Sequence, residues 1–327
     1  MRRSLFCFLL TVCLLTAGAA SGASRTVKPI QTVPYEEVSP TLDGQHHYLL
    51  LCTDQWHGNP GNLGDTDGIV IVTLDTRGHR VMLTSIIRDA LVERPEEDNP
   101  EETGIGRINY IAKRLGPEAL CKVISRHLDV KIEKYILFDF TQIANIVDFL
   151  GGVDIALNAD EIAYLRRYAV PDGSVRSLET GVDLRAGATH RPGMYHFRGH
   201  SAVIYMRIRK AGGGGDFMRT QRARTVMSTL ADKCREITWE EAEALVNNVM
   251  DNNTMTNMNL EEMLEAARSA YSLRDCTVEE LRIPPDGAVA PILYASMAAQ
   301  EVDWEACRAA MAYYLRNNFL VVDEDDE

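Results

Sequence analysis

The sequence predicts an α/β fold with a central mixed sheet. Two observations carry that prediction. Short apolar runs recur at residues 48–52, 69–74, 81–86, 134–138 and 153–157. The stretches between the later runs have helical spacing, with recognisable start and stop residues. The chain has 327 residues, 46% hydrophobic and 25% charged, enough to bury a sizeable core in one large or two small domains. Its formal charge of −13 argues against a non-specific nucleic-acid binder, because such binding relies on cations that neutralise phosphates.

The elements follow in order. Arg2 and Arg3 precede an uncharged stretch from 4 to 24, apolar over 5–15 and rich in small residues over 17–23. This is an export signal over residues 1–23, either cleaved to release a secreted protein or retained as a membrane anchor. Both outcomes place the rest of the chain outside the cytoplasm. Residues 24–45, with Pro29, Pro34 and Pro40, read as a linker. The continuous apolar run 48–52 predicts a strand covered on both faces. The run 69–74, the turn 76–79 and the run 81–86 predict a hairpin. Six acids and one arginine over 93–102 read as a solvated surface loop. Helices are expected over 117–128 with Pro117 in the first turn, over 141–150 up to Gly151-Gly152, over 159–168 capped by Asn158, and over 216–234. The rest, about 238–320, reads as mostly helical, with one short strand near 281–283. Outside the signal there are five scattered cysteines, Cys52, Cys121, Cys234, Cys276 and Cys307; an odd number without a C-x-x-C suits neither a disulfide framework nor a zinc site.

Chemistry enters where the first strands meet. Asp54 ends the first and Asp67 opens the second. Antiparallel pairing would bring them to the same sheet end. The third strand returns there and delivers Arg88 and Asp89. Carboxylates without histidine or cysteine suit Mg²⁺ or Mn²⁺. A second group is basic. Arg207 and Arg209 alternate, so an extended chain points both to one face. After the glycines at 212–215 come Asp216, Arg219 and Arg222, the two arginines sharing one helix face. Residues 207–224 carry six basic groups and one acid. Guanidinium forks suit phosphate oxygens, so the two groups together would bind a phosphoanhydride. The glycine run lacks the G-K-[ST] of a P-loop, and residues 199–203 lack the second glycine of a nucleophile elbow.

The ordered motifs Leu-Leu-Leu-Cys-Thr-Asp54, Thr66-Asp67-Gly-Ile-Val, Ser-Ile-Ile-Arg88-Asp89 and Arg107-Ile-Asn-Tyr, with the segments 140–153, 199–209, 215–222 and 256–263, resemble the LytR–CpsA–Psr family. The resemblance covers about 46–265 and leaves 266–327 as a mostly helical C-terminal extension with an acidic tail. It implies an α–β–α sandwich and a cell-envelope phosphotransferase that moves a glycopolymer from a polyprenyl-pyrophosphate carrier onto peptidoglycan at the membrane surface. By motif position Asp54 and Asp67 would hold Mg²⁺, joined by Asp65 as a third carboxylate. Arg88, Arg207, Arg209 and Arg219 would neutralise the pyrophosphate, Asp216 would orient it, and Gln221 and Arg222 would contact substrate. Asp89 is the candidate proton acceptor. Three residues depart from the family pattern. Asp65 stands where an arginine is usual, Ala223 where a glutamine is expected, and Cys52 where a glycine is usual. The alternative they raise is a catalytically impaired module that binds polyprenyl phosphate or glycan without turnover.

Overall fold

The computed structural model describes residues 27–56, 63–99, 102–167, 170–186, 189–208, 211, 215–252 and 254–316. The expected export signal, Arg209 and the acidic tail lie outside them, and of the side chains at 215–224 only that of Arg222 is described. Two compact units are present. A sheet unit comprises, of the described residues, 27–137, 255–259 and 275–316, and a helical unit comprises 138–254 and 260–274.

The sheet unit starts with β1 (Gln45–Thr53), β2 (Thr66–Asp75) and β3 (Arg80–Ile86). They pair antiparallel in sequence. The turn between β2 and β3 closes through Gly78 N donating to Asp75 Oδ1 at 2.6 Å. Along β1 alternate residues are buried, with Leu49 and Leu51 inward and Tyr48, Leu50 and Cys52 half-buried. One face is therefore in the core and the other only partly covered, unlike the double burial the apolar run suggested. Burying residues such as Leu49, Leu51, Ile69, Ile71 and Met82 stabilises by about 1.5–3 kcal/mol each.

Next come β4 (Leu91–Pro95) and β5 (Thr103–Arg107), an antiparallel hairpin, so the acidic stretch expected as a loop is partly strand. A 3-10 turn (Ile108–Tyr110), α1 (Ile111–Leu115), α2 (Pro117–Leu128) and β6 (Lys134–Phe138) follow. Residues 27–44 are not a free linker. Val33 N donates to Arg126 O, and Ser39 N and Oγ donate to the Asp129 carboxylate, tying the segment to α2 and its C-cap.

The chain returns to this unit with β10 (Met255–Thr256), β11 (Thr277–Ile283), β12 (Val289–Tyr294), β13 (Met297–Val302) and α9 (Trp304–Arg316). The main sheet is mixed, ordered β10-β6-β1-β2-β3-β11, with β11 parallel to β3. This corrects the mostly helical reading of 266–327: three strands lie there, and one completes the sheet. Arg80 secures the end of α9, donating to the carbonyls of Tyr314 and Leu315 while paired with Asp75 at 3.1 Å; a cation at helix C-terminal carbonyls is favourable.

The helical unit contains α3 (Phe140–Phe149), β7 (Val153–Leu157), α4 (Ala159–Arg167), β8 (Val175–Ser177), β9 (Gly193–Phe197), α5 (Gly199–Met206), α6 (Gly215–Glu236), α7 (Trp239–Asp251) and α8 (Leu260–Ser272). Its small antiparallel sheet is ordered β7-β9-β8. Asp139 with Gln142 forms a capping box on α3. Asn158 with Glu161 caps α4 in the same reciprocal way, as the sequence led us to expect. At Gly199 the helices α3 and α5 touch backbone to backbone: a Cβ there would lie 1.9 Å from Ala144 O. Among the described residues no helix is long and apolar enough to cross a membrane.

Candidate active site

The end of β1 and the start of β2 meet as the hairpin argument required. Thr53 faces Thr66 and Cys52 faces Gly68, so Asp67 is an extra residue in β2, a β-bulge. Bulges re-aim side chains and are frequent beside functional sites. Gly68 makes room for its neighbour, since a Cβ there would lie 2.9 Å from Cys52 Cβ. On the other strand, Asp54 N donates to Asp65 O at 3.2 Å and Asp65 N donates to Asp54 Oδ1 at 3.1 Å. Gly64, at φ +69°, lets the returning chain approach Asp54, whose Oδ1 would stand 2.9 Å from a Cβ at that position.

Arg88 arrives from the end of β3 and donates through Nη1 to Asp67 Oδ1 at 2.6 Å. Its Nε faces Asp89 Oδ2 at 3.7 Å, and Arg107 Nη1 donates to Asp89 Oδ1 at 3.2 Å. Arg107 Nη2 donates to Tyr110 OH, and its guanidinium lies 4.4 Å from the Tyr110 ring centroid. The result is a relay of alternating charge, Asp67–Arg88–Asp89–Arg107. Both Asp89 oxygens face guanidiniums, so Asp89 positions two cations. A cavity of about 420 Å³ opens beside Arg107, with Tyr110, Arg94, Arg114, Tyr294 and Met297 among its walls.

The backbone under this relay is held from both sides. Ile87 N donates to Ile283 O and Gln300 N to Asp89 O, while Ile108 N and Asn109 N donate to Ala90 O and Arg88 O. Arg107 Nη1 also reaches Ala298 O at 3.3 Å. The C-terminal strands thus brace the site, a role that sequence reasoning did not anticipate. Arg107 stood in a quoted motif without a role, and its ion pair with Asp89 provides one. Lys113 was not singled out at all: its Nζ donates to Asp65 Oδ1 at 3.2 Å.

Asp65 therefore faces a lysine. Among the described residues no three or more His, Cys, Asp or Glu side chains form a group that could hold a metal ion, so the expected trio Asp54, Asp65 and Asp67 is not assembled. Two aspartates still fit magnesium by donor chemistry. Mg²⁺ binds hard oxygens, commonly through one or two carboxylates plus substrate phosphates and water. Asp54 and Asp67 bring such oxygens to one strand end.

In the helical unit the basic group departs from its expected form. Residues 205–207 are not extended: α5 runs to Met206 and Arg207 is its C-cap. The alternation argument therefore fails at Arg207, while Arg209 lies outside the described residues. Arg207 is exposed, with its guanidinium 4.6 Å from the Phe140 ring centroid. Asp216, Arg219, Gln221 and Ala223 fall on α6. Arg222 is 2% exposed and bound within the unit. It donates to Glu161 Oε1 at 2.7 Å, to Ile208 O at 2.9 Å and to Ala211 O at 3.2 Å, so its fork pins the backbone on either side of Arg209. Burial, with Glu161 beside it, raises the Tyr205 hydroxyl pKa above its ordinary value.

The sequence profile of the LytR_cpsA_psr family matches residues 13–307. The chain belongs to the LytR–CpsA–Psr family. It is similar to the polyisoprenyl-teichoic acid–peptidoglycan teichoic acid transferase TagV of Bacillus subtilis, 24% identical over 185 residues, 57% of this chain and 43% of that one. It is similar to the corresponding transferase TagU of Bacillus cereus, 25% identical over 241 residues, 73% of this chain and 69% of TagU. The chain thus spans less than half of TagV. The crystal structure of B. subtilis TagV superposes with a TM-score of 0.58 at 20% identity, covering 85% of this chain and 98% of that one. The α/β architecture is that of other LytR–CpsA–Psr proteins.

Proposed function

We propose that this protein transfers a glycopolymer from a polyprenyl-pyrophosphate carrier to peptidoglycan, at the outer face of the cytoplasmic membrane. The observation that carries this reading is the bulge-set Asp67–Arg88 pair, braced by Asp89 and Arg107, in a chain whose relatives are named as teichoic acid transferases. An acceptor hydroxyl attacks the phosphorus that carries the glycan. The bond from that phosphorus to the oxygen of the polyprenyl phosphate breaks, a phosphodiester forms, and polyprenyl phosphate leaves. The hydroxyl proton goes to solvent.

Little covalent chemistry falls to the protein in phosphoryl transfer; positioning and charge do the work. Arg88 exchanges Asp67 for a phosphate oxygen as substrate enters, and Asp89 keeps its guanidinium aimed. Asp54 and Asp67 would hold Mg²⁺ or Mn²⁺, which would neutralise charge on the pyrophosphate. Arg207, Arg209, Arg219, Asp216 and Gln221 keep the roles that the family resemblance implies: the arginines toward anionic oxygens, Asp216 for orientation and Gln221 as a substrate contact. Arg222 acts through the backbone it pins.

The test is release of polyprenyl phosphate by the purified chain, given a polyprenyl-pyrophosphate-linked sugar, peptidoglycan and Mg²⁺. Asp67→Ala and Arg88→Ala should each lower the rate by about 100-fold or more. Undiminished turnover by both variants refutes the assignment. Asp65 in place of arginine favours a second reading, a module that binds carrier without turnover. That reading predicts retained ligand, no release, and activity appearing in Asp65→Arg.

A further inference from the structure

The aspartates of the candidate site outnumber the cations that β1, β2 and β3 bring with them. Asp67 and Asp89 face Arg88, Asp54 and Asp65 are bonded to each other beside them, and β5 adds Arg107. A further cation, Lys113 on α1, 46 residues beyond Asp67 in the chain, reaches Asp65. We propose that Lys113 is a phosphate-binding residue, held in place by Asp65.

Three observations support this. First, Lys113 is rooted: Ile111 and Ala112 beside it are each 1% exposed, so its Cα is fixed in the core while its side chain reaches outward. Second, its Nζ meets Asp65 Oδ1 at 3.2 Å, and Asp65 is tied to Asp54 by two reciprocal hydrogen bonds. The ammonium is thereby fixed at the strand end that carries the two proposed metal aspartates. Third, an ammonium has three N–H donors and no acceptor. The bond to Asp65 is its one hydrogen bond among the described residues, so donors remain for an anion. The charge of Lys113 offsets that of Asp65. Asp65 then acts as a positioning residue for Lys113.

This inference rests on the proposed function, and its test separates the two. The full chain is titrated with farnesyl pyrophosphate in the presence of Mg²⁺, and with Mg²⁺ alone. Lys113→Ala should weaken farnesyl pyrophosphate binding by about tenfold, as expected for loss of a charge-assisted bond. Lys113→Arg should stay within about threefold of the parent. The exchange variant Asp65→Arg/Lys113→Ala should recover most of the loss, which shows that charge at this place is what matters. Asp65→Asn should leave the affinity for Mg²⁺ alone unchanged. An exposed ion pair contributes little to folding, so a purely structural pair predicts no effect of Lys113→Ala on binding. Parent-like binding by Lys113→Ala, with Asp67→Ala still impaired, overturns this inference and leaves the proposed function standing. Weaker Mg²⁺ binding by Asp65→Asn overturns it too, because Asp65 is then a metal ligand. Failure of the unmodified chain to bind farnesyl pyrophosphate overturns both.

Discussion

Removing either partner of the Glu161–Arg222 pair should destabilise the helical unit far more than a surface ion pair would. The two side chains are 5% and 2% exposed and 2.7 Å apart. Arg222→Met leaves the buried Glu161 carboxylate without its cation, with the neutral Asn158 N–H and Tyr205 hydroxyl beside it, and strips a donor from Ile208 O and Ala211 O. Glu161→Met leaves a guanidinium in the core and removes half of a capping box. Breaking a buried pair from one side costs about 3–5 kcal/mol, a large part of the 5–15 kcal/mol that holds a typical domain. The double variant leaves no stranded charge, so it should cost well below the sum of the singles, with a coupling of about 2 kcal/mol or more. Urea unfolding followed by far-ultraviolet circular dichroism, run on all four proteins, measures this. Single variants that each lose under about 1 kcal/mol, and that add without coupling, would refute the reasoning.

Three other predictions follow from the geometry. Gly199→Ala should cost at least about 2 kcal/mol and lower Tm, because the new methyl meets Ala144 backbone and forces α3 from α5; an unchanged Tm contradicts that contact. His47 and His127 are buried, and burial pushes each pKa down to about 4 from 6.5. As pH falls below 6.5 the unfolded chain takes up protons that the folded one refuses, so stability drops until about pH 4. The loss is up to about 3 kcal/mol per histidine, and His127→Gln should flatten the dependence of the urea midpoint on pH between 7 and 4.5. Arg107→Met should slow polyprenyl phosphate release by about tenfold, equivalent to about 1.4 kcal/mol, with little change in KM. It frees Asp89 to swing away from Arg88; an unaltered kcat removes Arg107 from the relay.

The site was legible where local pairing determines it. A short turn makes β2 and β3 antiparallel, and antiparallel strands must return Arg88 and Asp89 to the end that holds Asp54 and Asp67. The bulge at Asp67 was not legible, because it is a property of the register between two strands. Arg207 was misread because alternation over five residues fits the last turn of a helix as well as a strand. Residues 277–302 were misread for a related reason. Their Glu, Leu, Ala, Met and Gln favour helices, yet β11 finds an open edge on β3, and β12 and β13 find each other. Strand formation there is a tertiary outcome. Lys113 meets Asp65 only after α1 packs beside the sheet, and no spacing rule links positions 65 and 113. The linker reading failed similarly, since Val33 and Ser39 are held by partners about 90 residues away.

Crystals of the full chain grown with farnesyl pyrophosphate and Mn²⁺, measured for anomalous scattering by manganese, test the central claim most directly. The account predicts a manganese signal at the carboxylates of Asp54 and Asp67, with a phosphate oxygen on Arg88. A pyrophosphate bound elsewhere, with Asp67 and Arg88 still holding each other, would contradict it.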